Sequence, residues 1–120
     1  MSLSVNTRKV QGVVVMDMSG KLTAGEPVLL LRNTVRSFTE DGSRKFLLNL
    51  GSVSYIDSAG LGELITTYTT VRNKGGDVKL LNLTKTAKDL LQMTKLLTVF
   101  DTFDDEAKAV QALSGSAAAS

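Results

Sequence analysis

Apolar and polar positions alternate and then regroup along this chain in a way that lays out its elements. Leu3 to Lys9 and Val13 to Ser19 are rich in β-formers and meet across Val10-Gln11-Gly12, which predicts a hairpin. Pro27 suits a first helical turn, and Val28, Leu31, Val35 and Phe38 then fall on one face until Asp41-Gly42 stops the helix. Residues 45–50, with Phe46-Leu47-Leu48-Asn49-Leu50, read as a short buried strand. Beyond it Leu61, Leu64, Ile65, Tyr68 and Val71 recur at the three-and-four spacing of a helix, which Lys74-Gly75-Gly76 ends. Val78 to Leu83 is a third buried-type strand, and Thr84 is placed to cap a helix carrying Ala87, Leu90, Leu91 and Met93. Thr98 to Thr102 predicts a further strand, and Asp104 opens a last helix with Ala107, Val110 and Leu113 inward. Ser114 to Ser120 is all Ser, Gly and Ala and is expected to be a flexible tail, leaving 1–113 as one domain.

Strand and helix in repeated succession predict an α/β fold: a mixed sheet with parallel pairs, an N-terminal hairpin and about four helices packed on it. Open sheets of this kind bind at the ends of their strands. The switch from strand to helix at Asp57-Ser58 falls at such a place. Asp and Ser are preferred helix caps, because their side-chain oxygens accept the orphan N–H groups of the first turn, and Glu63 suits the positive helix end. Gly60 and Gly62 are expected to keep that turn bare of side chains. Two readings of Ser58 follow from the residues alone. It is a cap and no more, or it is an open hydroxyl on which a phosphate would meet free N–H groups and a favourable dipole. Thr66, Thr67, Thr69 and Thr70 form the outer face of the same helix, as solvated surface or as a low-charge face for a partner.

Composition removes several classes of function. The chain has 120 residues, 42% of them hydrophobic, enough for one domain with a real core. Its apolar run Val28-Leu29-Leu30-Leu31 is cut by Arg32-Asn33, far short of the ~20 residues of a membrane span. Met1-Ser2-Leu3-Ser4 lacks the basic-then-apolar pattern of a secretory signal, so a cytoplasmic protein without membrane insertion is expected. There is no His, Cys or Trp, which excludes a Ser-His-Asp triad, a thiolate nucleophile and the usual soft metal ligands. Asp101, Asp104, Asp105 and Glu106 lack calcium-loop spacing and read as an acid-rich helix start. No Walker-type phosphate loop is present. A net charge of only +2, with scattered Lys and Arg and few aromatics, argues against nucleic acid as a partner. The chain reads as a substrate and binder, not an enzyme, with neither cofactor nor metal.

Asp57-Ser58-Ala59-Gly60-Leu61-Gly62 resembles the signature of STAS domains, specifically the bacterial anti-sigma factor antagonists. It follows an apolar strand with Asn49-Leu50 and precedes the helix that ends near Lys74-Gly75-Gly76. The resemblance covers roughly residues 3–112, including Ser19-Gly20-Lys21-Leu22, read as a turn, and Thr94-Lys95-Leu96. It implies that Ser58 is phosphorylated by an ATP-bound anti-sigma factor serine kinase and restored by a phosphoserine phosphatase. It further implies that the unphosphorylated form captures the kinase and frees the sigma factor. The implied partner face comprises Asp57, Ser58, Ala59, Gly60, Leu61 and Gly62 with Thr23 and Ala24. Three departures stand out. Thr23 occupies the place of a family Asp implicated in phosphorylation or nucleotide contact, which weakens any expectation of nucleotide binding. Lys95 stands where Gly is usual, at a helix end that often needs a left-handed backbone. Ala59 replaces a common second Ser, so Ser58 is the only hydroxyl of the hexapeptide. The alternative implied by the same family is a STAS subunit with a structural role in a lipid or solute transporter complex, in which Asp57-Ser58 merely caps.

Overall fold

The computed structural model describes residues 3–119, with the backbone alone described over 115–119. Strands β1 (Leu3–Val10) and β2 (Val13–Leu22) form the expected antiparallel hairpin. Then come α1 (Glu26–Glu40), β3 (Lys45–Ile56), α2 (Ser58–Asn73), β4 (Asp77–Leu81), α3 (Lys85–Met93), a single 3-10 turn at Leu96–Thr98, β5 (Thr102–Phe103) and α4 (Glu106–Ala119). The sheet runs in the order β1-β2-β3-β4-β5, and every pairing after the hairpin is parallel.

Parallel strands covered on both faces need apolar side chains on both, and the runs Val13–Met16, Phe46–Leu48 and Val78–Leu81 supply them. One face carries Val14, Met16, Phe46, Leu48 and Leu80 against Leu31 of α1, Leu64 and Val71 of α2, and Leu91 of α3. The other carries Val13, Val15, Leu47 and Leu81 against Ala109, Val110 and Leu113 of α4. The helices are ended as their residues require. Gly75 takes φ 88° and donates to Arg72 O, while Gly76 N–H reaches Val71 O at 2.9 Å, the paired bonds of a Schellman stop. Gly76 also has no room for a side chain, since a Cβ would sit 2.0 Å from Arg44 O.

Several boundaries differ from the sequence expectation. β3 runs to Ile56, not Leu50, because Ser52, Val53, Tyr55 and Ile56 continue the pairing with β2 and bury Val53 and Ile56. The Ser19–Leu22 segment is strand rather than turn, with register shifts between Asp17 and Ser19 and between Gly20 and Lys21 that take up the irregular pattern. β4 stops at Leu81 because Asn82 is left-handed at φ 59°. The expected strand 98–102 shrinks to Thr102–Phe103, as the chain first tightens into the 3-10 turn. On α4, Asp105 rather than Asp104 receives the first-turn N–H, from Lys108, and Ala109 rather than Ala107 lies inward. Met93, grouped with the apolar positions of α3, is 81% exposed, because at 100° per residue it falls well away from the face on which Ala87 and Leu91 are buried. α4 continues beyond Leu113, the expected domain end, and the side chains of 115–120 lie outside the described residues.

Candidate functional site

The carboxyl ends of β2 and β3 deliver two connections side by side, the loop 23–25 and Asp57. Asp57 has extended backbone (φ −93°, ψ −177°) and is the N-cap of α2. Its two carboxylate oxygens divide the work. Oδ1 accepts Gly60 N–H at 2.8 Å, closing the first turn of the helix, and Oδ2 accepts Ala24 N–H at 3.0 Å, holding the neighbouring loop. The Asp57 N–H donates to Leu22 O at 3.2 Å, so one residue ties β2, the loop and the helix together. Stabilised as an anion first by Gly60 N–H and then by Ala24 N–H, its carboxyl is held below the usual carboxylate range.

Capping by Asp57 leaves Ser58 uncommitted. Ser58 is the first helical residue and is exposed, and its hydroxyl has no hydrogen-bond partner among the described residues. Gly60 does not serve as bare surface. It is buried under the turn, where a Cβ would lie 2.1 Å from Leu22 O, so glycine is what lets α2 begin directly against the end of β2. Leu61, expected on the partner face, is 9% exposed and packs into the core. Gly62 is the glycine that opens the surface, with nothing within 4 Å of the space a Cβ would take. The outward set therefore reduces to Ser58, Ala59 and Ala24, with Asp57, Thr23 and Gly62 half-buried beside them.

A STAS domain model matches residues 4–109. The chain belongs to the STAS domain family. Among its relatives, the anti-sigma F factor antagonist of Paenibacillus polymyxa is 23% identical over 113 residues, covering 94% of this chain and 97% of the relative. The anti-sigma-B factor antagonist of Bacillus subtilis (strain 168) is 29% identical over 102 residues, covering 84% and 91%. The anti-sigma factor antagonist SpoIIAA has a similar structure in its unphosphorylated form, at a TM-score of 0.70 and 22% identity over 93% of this chain and 99% of that one. Its phosphorylated form gives 0.72 and 20% over 91% and 98%.

In this STAS domain the family departures have visible consequences. Thr23 sits half-buried in the loop that the Ala24 N–H anchors to Asp57. Lys95 is left-handed (φ 64°, ψ 19°) just past the end of α3, as the usual Gly implied. Thr67, read as outer face, is buried at 3% exposure, while Thr66, Thr69 and Thr70 stay exposed. Glu63 does not serve the helix end. It turns toward α1 and is paired with Arg32 at 2.9 Å. Sequence reasoning passed over three exposed apolar side chains at this end of the sheet: Tyr55 at 51% on the end of β3, and Leu29 at 49% and Leu30 at 37% early in α1. The signal for the last two was the unbroken Val28-Leu29-Leu30-Leu31, since four successive helical positions cannot all face one core.

Proposed function

We propose that this STAS domain is an anti-sigma factor antagonist switched by phosphorylation of Ser58. The observation that carries the reading is the division between Asp57, which caps α2, and Ser58, whose exposed hydroxyl has no partner among the described residues. The names of the curated relatives support the class, and their alignments span nearly their whole length and most of this chain. In the unphosphorylated state Ser58, Ala59, Ala24 and the exposed Tyr55 and Leu29 offer a low-charge face to an ATP-bound anti-sigma factor kinase. Capture of the kinase frees its sigma factor. The kinase then transfers the γ-phosphoryl group to Ser58 Oγ, the hydroxyl proton passing to a kinase base and ADP leaving. The phosphoserine brings a charge of about −1.5 to −2 into that face, where it meets Asp57 and must be desolvated on binding. Losing each tenfold of affinity takes only about 1.4 kcal/mol, so release needs no change of fold. A phosphatase that hydrolyses the monoester resets the cycle. The protein is a regulatory binder in this scheme and does no chemistry of its own.

The test uses the anti-sigma kinase encoded beside this protein. Peptide mass mapping after incubation with ATP is expected to place phosphate on Ser58, and Ser58→Ala is expected to take none. By calorimetry Ser58→Ala should bind the kinase as wild type does, and Ser58→Glu should bind at least tenfold more weakly. Equal affinity of all three forms would instead favour a STAS subunit with a structural role, and labelling of Ser58→Ala would place the acceptor elsewhere.

A further inference from the structure

We propose that the cleft between α1 and α2 is a binding site for a small organic carboxylate carrying a single negative charge. The cleft encloses about 330 Å³, within the range of about 300–1,000 Å³ common for small-molecule sites. It lies along the middle and far end of both helices. Its floor residue Thr67 is nine residues beyond Ser58, about 13 Å of helix, so this surface is separate from the phosphorylation face. The inference therefore stands whether or not Ser58 is modified.

Three features define the ligand. The first is an unused donor. Thr67 lines the cleft, is 3% exposed, and its Oγ1 has no hydrogen-bond partner among the described residues. A helical Thr commonly bonds back to a carbonyl one turn earlier, as Thr34 does to Leu30 O at 2.7 Å, but Thr67 does not. A buried hydroxyl left alone is costly, and an acceptor-only oxygen from a ligand would satisfy it. The second is charge. Glu63 and Arg32 neutralise one another through a fork, Arg32 Nη2 to Glu63 Oε1 at 2.9 Å and Nε to Oε2 at 3.4 Å. Arg36, Lys74 and Glu40 also line the cleft, and none of them has an ion-pair partner among the described residues. Two cations against one acid leave one positive charge to match. A monocarboxylate balances it, whereas a dianion such as phosphate overshoots it beside two carboxylates. The third is the wall. Val35 and the methyl groups of the lining threonines give the ligand an apolar body to rest on.

The experiment is a ¹⁵N NMR titration of the full chain with benzoate and with hexanoate, using benzyl alcohol as the neutral counterpart and inorganic phosphate as the compact anion. Both carboxylates are expected to shift the amides of 32–40 and 63–74 saturably, with dissociation constants of order 1 mM, and benzyl alcohol to bind about tenfold more weakly. Thr67→Val keeps the shape and removes only the hydroxyl. It should remain folded and weaken carboxylate binding at least threefold. Arg36→Gln with Lys74→Gln should erase the preference for carboxylate over alcohol. Absence of saturation for both carboxylates overturns the assignment, as does equal binding of benzyl alcohol. Tighter binding of phosphate at these amides, or an unchanged affinity in Thr67→Val, overturns it as well.

Discussion

Lys95→Gly is expected to make the protein more stable by removing a long, charged side chain. Lys95 stands in the left-handed region at φ 64° and ψ 19°, one residue past the C-cap Thr94 of α3. There the Cβ of any residue but glycine crowds the following carbonyl, at a cost of roughly 1–2 kcal/mol. Glycine removes that crowding but enlarges the unfolded ensemble, which offsets about 0.4–1 kcal/mol. The difference favours Gly by about 0.5–1 kcal/mol. Nothing else is lost in the exchange. Lys95 is exposed, and glycine keeps the bonds of its main chain, among them N–H to Gln92 O at 3.1 Å and C=O from Thr98 Oγ1 at 3.1 Å. For a domain of this size, such a gain corresponds to a rise in Tm of about 2–4 °C. Thermal unfolding followed by circular dichroism reads it directly, and a urea midpoint at constant m-value confirms that the change lies in stability. Lys95→Ala is the control, since it deletes the same side chain and charge while keeping the Cβ, and it should gain nothing. A Lys95→Gly midpoint at or below that of wild type would refute the reasoning, as would a matching gain in Lys95→Ala, which would assign the effect to charge.

Three further outcomes follow from the same geometry. Ser58→Ala should leave unfolding free energy within about 0.5 kcal/mol of wild type, because Asp57 does the capping, whereas Asp57→Ala should lower Tm and raise amide exchange at Gly60 and Ala24 together. Gly60→Ala should destabilise by about 1–3 kcal/mol, since its Cβ would be driven into Leu22 O, while Gly62→Ala, with open space around it, should be neutral or mildly stabilising in thermal melts. Asp17, Asp57 and Glu106 all have depressed carboxyl pKa values, Asp17 and Glu106 first through their bonds from Arg8 and Asp57 first through Gly60 N–H. Their contribution is therefore full above the ordinary carboxylate range and lost as pH falls through the folded values. Urea midpoints should drop between about pH 5 and pH 2, and Arg8→Met should make that drop shallower.

The order of elements was legible because long apolar runs and strong punctuation agreed. Val13–Met16, Phe46–Leu48 and Val78–Leu81 each bury both faces, and Gly75-Gly76 ends α2 with the two bonds that such a pair makes possible. What escaped was set by partners distant in sequence. The extension of β3 to Ile56 depends on β2 running alongside as far as Leu22, and Gly51-Ser52-Val53-Ser54 taken alone looks like a turn. The phase of α4 depends on its seat over Val13, Val15 and Leu47, which local pattern cannot supply, so Ala107 and Ala109 exchanged roles. At the site, the hexapeptide marked the place but not the duties. Residue types alone allowed either Asp57 or Ser58 to cap α2, and Gly60 and Gly62 looked equivalent. Only the approach of Leu22 and the loop at Ala24 distinguishes them.

That distinction bears on how a charge can be added at Ser58 without disturbing the fold. A phosphoserine at the first helical position lies at the positive end of α2, which favours it. The N–H it would reach at Gly60 is already taken by Asp57 Oδ1 at 2.8 Å, and Asp57 is held as an anion by that bond and by Ala24 N–H. Displacing Asp57 would sacrifice the cap and release the loop, so a phosphate on exposed Ser58 would keep to the outside of the turn. There it is opposed by the neighbouring carboxylate and favoured by the helix dipole, two effects of similar size and opposite sign at an exposed position. The fold would accordingly gain or lose little, while a partner pressed against Ser58 and Ala59 would have to desolvate the whole added charge. An arrangement in which one residue caps and the next stays free thus concentrates the energetic effect of modification on binding and keeps it off stability.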